Sequence, residues 1–188
     1  DSASNVYSIP EEDYVSVPMK IVTDQKEYVD NPDLDVRQMV EELRAYKGRS
    51  GTACPNHGDW LEAFGKDEFI ICITITGKLS GSYNAARLAK EEYEEEFPER
   101  KVFVLDSLSA GPEMHLLIEK IEQLREIESN FETICEKTQE YSNHITMLFA
   151  LESMKNLANN GRISPAAAKI AGVLGIRAIG KAQDGELQ

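Results

Sequence analysis

The run Phe69-Ile70-Ile71-Cys72-Ile73, continued by Thr74-Ile75-Thr76-Gly77-Lys78-Leu79-Ser80-Gly81-Ser82-Tyr83, decides how this chain is read. An unbroken apolar run rich in isoleucine fits a strand buried on both faces, since a strand with one wet face would alternate. The next stretch is polar and contains glycine, which reads as a loop. From Gly81 the spacing turns helical through Tyr83, Ala86, Leu88 and Ala89, until Pro98 stops it. Val102-Phe103-Val104-Leu105 then supplies a second buried strand.

Working outward from this unit, Pro112 fits the first turn of a helix with Leu116, Leu117, Ile118 and Ile121 inward. A helix over 131–141, a strand over 145–151 and a short helix over 154–158 follow. Ser164 and Pro165 read as the cap and first turn of a small-residue helix at 166–174, ended by Gly175. Residues 176–181 look like a strand. Toward the start, residues 15–22 are apolar but interrupted by Pro18, as in an edge or irregular strand. Asp35 caps a helix over 36–47 that Gly48 ends, and 51–56 is a loop. Asn56 then caps a short helix carrying Trp60, Leu61 and Phe64.

Strands alternating with helices predict an α/β fold, a mainly parallel sheet with flanking helices. The 188 residues suffice for one full core and a small or incomplete second one. Residues 1–150 are expected to form the first domain, and 151–188 the start of a second α/β domain. Asp184-Gly185 signals a hairpin, yet the chain closes three residues later, leaving the second arm unaccounted for. Together with an opening Asp1-Ser2 turn of the kind that follows a strand, this reads as a fragment or a stunted second domain.

A net charge of −13 argues against a nucleic-acid ligand, because such binding draws on clustered Lys and Arg. The basic residues are instead interleaved with acidic ones, as in Glu41-Glu42-Leu43-Arg44. Cys54, Cys72 and Cys135 are odd in number and widely spaced, which suggests neither a disulfide framework nor a zinc site. With no signal-peptide pattern and no run of about 20 apolar residues, a cytoplasmic location is expected.

In parallel α/β sheets ligands bind beyond the carboxyl ends of the strands. That places interest on 74–82, on 106–111, and on the Thr52 loop if it folds over the same rim. Gly77 and Gly81 let backbone N–H groups face a ligand, the hydroxyls can donate, and the following helix offers its positive end to an anion. The stretch is not a Walker loop, since Gly77-Lys78 lacks the earlier glycine and precedes Leu79. Ser80 also lacks the frame of a nucleophile elbow. Two readings stay open: an oxyanion site, or a Ser80 that only caps the helix.

The same segment resembles the DegV family, in which a strand runs into a Leu-Ser-Gly-(Ser/Thr)-Tyr turn. Further likenesses come in matching order: Asp1-Ser2, Tyr28-Val29-Asp30, Thr52 with Pro55, Val104-Leu105-Asp106-Ser107, and Gly161-Arg162-Ile163-Ser164. The family comprises fatty-acid-binding proteins, some of which present the acyl carboxylate to a separate kinase that makes acyl phosphate. The resemblance therefore implies a binding subunit rather than an enzyme, with no cofactor, no metal and no catalytic residue. Its implied partners are a long-chain fatty acid and a fatty-acid kinase catalytic subunit, with transient membrane-surface contact allowed and nucleic acid excluded. Carried over by position, Thr52 and Ser80 would hold the carboxylate, helped by Gly81 and Ser82. Arg162 would lie near the head group or face the kinase; as a loop residue it could equally bond carbonyls.

Thr52-Ala53-Cys54-Pro55-Asn56 departs from the family's Thr-Ser-x-Pro-Ser by losing two hydroxyls. Cys54 lacks a nameable base and orienting group for nucleophilic catalysis, although His57 is close in sequence. His115 and His144 read as packing or surface residues, with no partner at i+4 to complete a metal pair. Two other functions remain compatible with the residues: a phosphotransferase subunit of the dihydroxyacetone-kinase type, and a lipid-free interaction module.

Overall fold

The structure is a computed structural model, and it describes residues 1–10, 14–164 and 177–187. A 3₁₀ turn at Ser2–Ser4 opens the chain. Strands β1 (Lys20–Val22) and β2 (Glu27–Val29) precede helix α1 (Val36–Ala45), then β3 (Gly51–Ala53), α2 (His57–Phe64) and β4 (Phe69–Thr74). There follow α3 (Ser82–Glu96), β5 (Lys101–Asp106), α4 (Pro112–Arg125) and α5 (Phe131–Ser142). The described part ends with β6 (Leu148–Leu151), α6 (Lys155–Asn159), β7 (Ala178–Gln183) and β8 (Glu186–Leu187).

The α/β reading holds, with β4 and β5 as its parallel centre, in register from Phe69 opposite Lys101 to Thr74 opposite Asp106. Both faces of this pair are covered, which is why the two sequences are nearly all apolar. On one face Trp60 and Phe64 from α2 and Ala86, Ala89 and Tyr93 from α3 pack with Val17, Cys72 and Val102. On the other, Met114, Leu117, Ile118 and Ile121 from α4 pack with Ile73 and Leu105. Each fully buried large side chain contributes about 1.5–3 kcal/mol of transfer free energy. The helix starts follow their caps: Asp35 accepts from the Gln38 amide, and Asn56 with Asp59 forms a reciprocal capping box.

Several expectations need correction. Leu116 does not point inward; it is 41% exposed, because Met114, Leu117, Ile118, Ile121 and Leu124 already form the buried stripe of α4. Residues 51–53 are a strand rather than loop, with Thr52 opposite Ile21 of β1. Three residues are too few to show a period. Of 15–22 only Lys20–Val22 is strand, after Pro18, and α1 ends at Ala45 before the expected Lys47. The 145–151 strand shortens to β6, which does not extend the parallel pair but ladders antiparallel with β7. β7 begins two residues later than expected, and the helix expected at 166–174 lies outside the described residues. The second arm of the hairpin is present as β8: Asp184 and Gly185 both take positive φ, at 52° and 82°, and Gln183 pairs with Glu186. Two such residues give the backbone twist that a two-residue hairpin requires.

Candidate functional site

The loops at the carboxyl ends of β4 and β5 are bound into one rim. The Asp106 carboxylate accepts from the Gly77 amide at 3.2 Å and the Leu108 amide at 3.0 Å. The Thr76 amide donates to the Ser109 carbonyl at 2.9 Å, and Ser107 to the Thr74 carbonyl at 3.2 Å. An added Cβ at Gly77 would lie 3.0 Å from Asp106 Oδ2, so a larger residue there would press on the carboxylate that ties the two loops together.

Beyond Gly77 the chain turns: the Thr76 carbonyl accepts from Leu79 at 3.1 Å and from Ser80 at 3.2 Å. Ser80 is half-buried, and its Oγ accepts from the Ser82 amide at 3.3 Å. Gly81, not Ser80, is the residue preceding α3, and it makes no side-chain cap. Ser82 is fully buried and its hydroxyl donates to the Asp1 carboxylate. Asp1 also accepts from the Ile75 amide at 3.1 Å and the Ala3 amide at 3.2 Å, and its backbone nitrogen donates to the Ile73 carbonyl at 2.7 Å. Asp1 was not singled out as a site residue from sequence, although it opens a quoted motif.

Strand β3, which carries Thr52, meets this rim through the residues that follow it. The space beside Gly81 is closed by Cys54, whose Sγ would lie 3.3 Å from an added Cβ. Arg162 spans the gap: Nε donates to the Leu79 carbonyl at 3.2 Å, Nη1 to the Asn160 carbonyl at 3.0 Å and Nη2 to Thr52 Oγ1 at 3.4 Å. Its segment is docked onto the chain before β3, where Arg49 donates to the Asn159 carbonyl and Asn160 donates to the Ser50 carbonyl at 3.2 Å. A guanidinium carries five N–H donors, so three such bonds leave capacity for an anion. Thr52, Ser80, Gly81 and Arg162 thus occupy one neighbourhood, while Ser82 faces inward beneath it.

Other singled-out groups fall elsewhere. Asp30 of the Tyr28-Val29-Asp30 motif is a brace: its carboxylate accepts from Ser2 Oγ and from the Tyr7 hydroxyl, each at 2.7 Å. That bond to the carboxylate pushes the Tyr7 phenol up to about 12. His57 lies 2.9 Å from Glu92 and His115 3.4 Å from Glu119, both on exposed helix faces. The latter is an i,i+4 acidic neighbour that the sequence reading overlooked. Burial pushes the Cys72 thiol up to about 12 and Cys135 up to about 11. No group of metal-ligating side chains gathers among the described residues. Nor is any helix of the described residues long and apolar enough to cross a membrane.

A cavity of about 970 Å³ follows β4 between the two cores, within the range typical of small-molecule pockets. Its α4 side is walled by Ile9, Tyr14, Ile71, Ile118 and Ile121. None of Thr52, Ser80, Gly81, Ser82 or Arg162 lines it; it nears their loop through Asp1, the partner of Ser82.

The family model described as "Uncharacterised protein, DegV family" matches residues 1–188. The chain belongs to the DegV family. A DegV domain-containing protein of Streptococcus pneumoniae strain ATCC BAA-255 / R6 is 42% identical over 171 residues, covering 91% of this chain. The chain spans 61% of that relative's length. Among solved structures, a DegV family protein from Eubacterium eligens loaded with heptadecanoic acid is 43% identical with a TM-score of 0.93. That match covers all of this chain and 68% of the other. The Streptococcus pneumoniae Fatty Acid Kinase B3 protein loaded with linoleic acid is also 43% identical, with a TM-score of 0.88 over 93% of this chain and 62% of that one. The DegV resemblance read from the Leu79–Tyr83 turn is therefore correct.

Proposed function

We propose that this DegV chain binds a long-chain fatty acid and presents its carboxylate to a separate kinase subunit for acyl-phosphate formation, without itself catalysing a reaction. The reading rests chiefly on one observation: Arg162 reaches Thr52 Oγ1 and the Leu79 carbonyl at once, beside Ser80 and ahead of α3. A carboxylate there would meet the Thr52 and Ser80 hydroxyls, the Gly81 backbone N–H, a guanidinium and the positive end of a helix, which offset its desolvation. The lipid-loaded relatives from E. eligens and S. pneumoniae support the same ligand class. Ser82 would serve by holding Asp1 and so fixing the first turn of α3.

The acyl chain would occupy the α4 side of the cavity, against Ile71, Ile118 and Ile121. About 15 methylenes at about 0.8 kcal/mol each offer on the order of 12 kcal/mol, so the tail supplies most of the affinity and the polar loop sets orientation. Residues 1–150 would form the lipid-holding domain and 151–188 the start of a second that contributes Arg162. A cytoplasmic location and brief membrane-surface contact during lipid transfer belong to the same reading.

Organic extraction of the freshly purified full-length protein, followed by mass spectrometry, tests it. One fatty acid per protein is expected. Lipid-free protein that also fails to take up heptadecanoate would overturn the reading in favour of an interaction module, and a covalent adduct with a small carbonyl compound would favour the phosphotransferase class.

A further inference from the structure

Thr76 is 1% exposed and uses every polar group it has. Its amide donates to Ser109, its carbonyl holds the Leu79 and Ser80 amides, and its Oγ1 accepts from the Lys78 amide at 3.2 Å. The hydroxyl proton goes to a residue 109 positions away, the Gly185 carbonyl at 3.0 Å, in the turn between β7 and β8. Gly185 is itself buried, and a side chain there would lie 2.6 Å from Thr76 Oγ1, 3.0 Å from Lys78 Cγ and 3.3 Å from Leu108 Cδ2. Its φ of +82° independently favours glycine. Glu186 adds an exposed ion pair with Lys78 at 3.8 Å, a weak contact in water.

From this contact we infer that the Asp184–Gly185 turn positions the carboxylate loop. Seating of the β7–β8 hairpin on Thr76 fixes the turn that aims Ser80, and filling of the site favours the seated hairpin in return. Gly185 and Thr76 are positioning residues; neither touches the ligand. A Gly-containing polar loop samples other conformations when unbraced, and apparent affinity falls by the fraction of molecules in which the loop is competent. Linkage makes the effect reciprocal: a fatty acid that requires the ordered loop also holds down the hairpin. The affinity half of this inference rests on the proposed fatty-acid function; the positioning half does not.

The test uses full-length protein in two arms. Without ligand, amide exchange at Leu79 and Ser80 is measured in the parent, Thr76→Val, Thr76→Ser and Gly185→Ala proteins. Thr76→Val and Gly185→Ala should speed exchange there, while Thr76→Ser, which keeps the hydroxyl, should restore protection. In the second arm, heptadecanoate affinity should fall about tenfold or more in the first two variants and recover in Thr76→Ser. Folded variants with parental exchange and affinity would overturn the inference. Should Thr76→Val and Gly185→Ala fail to fold, the parent decides: heptadecanoate should slow exchange at Ala182 and Glu186, and unchanged rates there would refute the coupling. If the parent does not bind heptadecanoate, the fatty-acid reading fails, and the ligand-free arm alone decides whether the turn positions the loop.

Discussion

Ser80→Ala separates grip from burial. Ser80 Oγ already accepts the Ser82 amide, and no acceptor for its proton stands among the described residues, so that proton is available to a ligand oxygen. A hydrogen bond to a charged group contributes about 1.5–3 kcal/mol, roughly 10- to 150-fold in Kd. Against a tail term on the order of 12 kcal/mol the variant should still bind lipid, but it should lose selectivity for the acid over the matching alcohol. Displacement of a fluorescent fatty acid from full-length protein measures both affinities, and thermal melting checks the fold. Unchanged acid affinity together with an unchanged acid-to-alcohol ratio, in a folded variant, would remove Ser80 from the carboxylate site.

Native alkylation at pH 8 should label Cys54 and spare Cys72, whose thiolate fraction is on the order of 10⁻⁴ with its pKa at about 12; peptide mapping after iodoacetamide reads this directly. Leu117→Ala, which empties a fully buried position of α4, should cost about 2–5 kcal/mol in a denaturant titration, whereas Leu116→Ala, on the exposed side, should cost far less. Glu42, held down to about 2 first by the Lys26 ammonium and then by the Tyr28 hydroxyl, stabilises the fold at pH values above its ordinary 4.5. That contribution disappears as pH falls from 4.5 toward 2, so Glu42→Gln should flatten the acid limb of a stability-versus-pH curve measured by urea unfolding.

The centre of the fold was legible because β4 and β5 are covered on both faces, and two-sided burial leaves an unbroken apolar run. The small antiparallel ladders were not. Gly51–Ala53 has no period to detect, and nothing in Leu148–Leu151 names β7, which begins at Ala178, as its partner. At the candidate site, glycines and hydroxyls pointed to the Ser80 loop, and the Gly161-Arg162 motif pointed to Arg162. The partners of Asp1, Thr76 and Gly185 could not be read from the sequence because their contacts span 81 and 109 positions, and neither a buried aspartate nor a turn glycine advertises its partner. Ser82 was judged by its closeness to Ser80, yet two positions along a helix start are enough to turn a side chain from the rim into the interior.

The bond between Arg162 and Thr52 closes a loop of 110 residues, which has a consequence for how the protein is made. At about 5–20 residues per second, a ribosome needs on the order of 5–20 s to synthesise that interval. During that time β4, β5 and their helices can already fold around an apolar interior while the guanidinium has yet to be added. Under the proposed function, a nascent chain at this stage has a place for hydrocarbon but an incomplete hold on its charged end, so stable capture of lipid waits until the segment carrying Arg162 has been made.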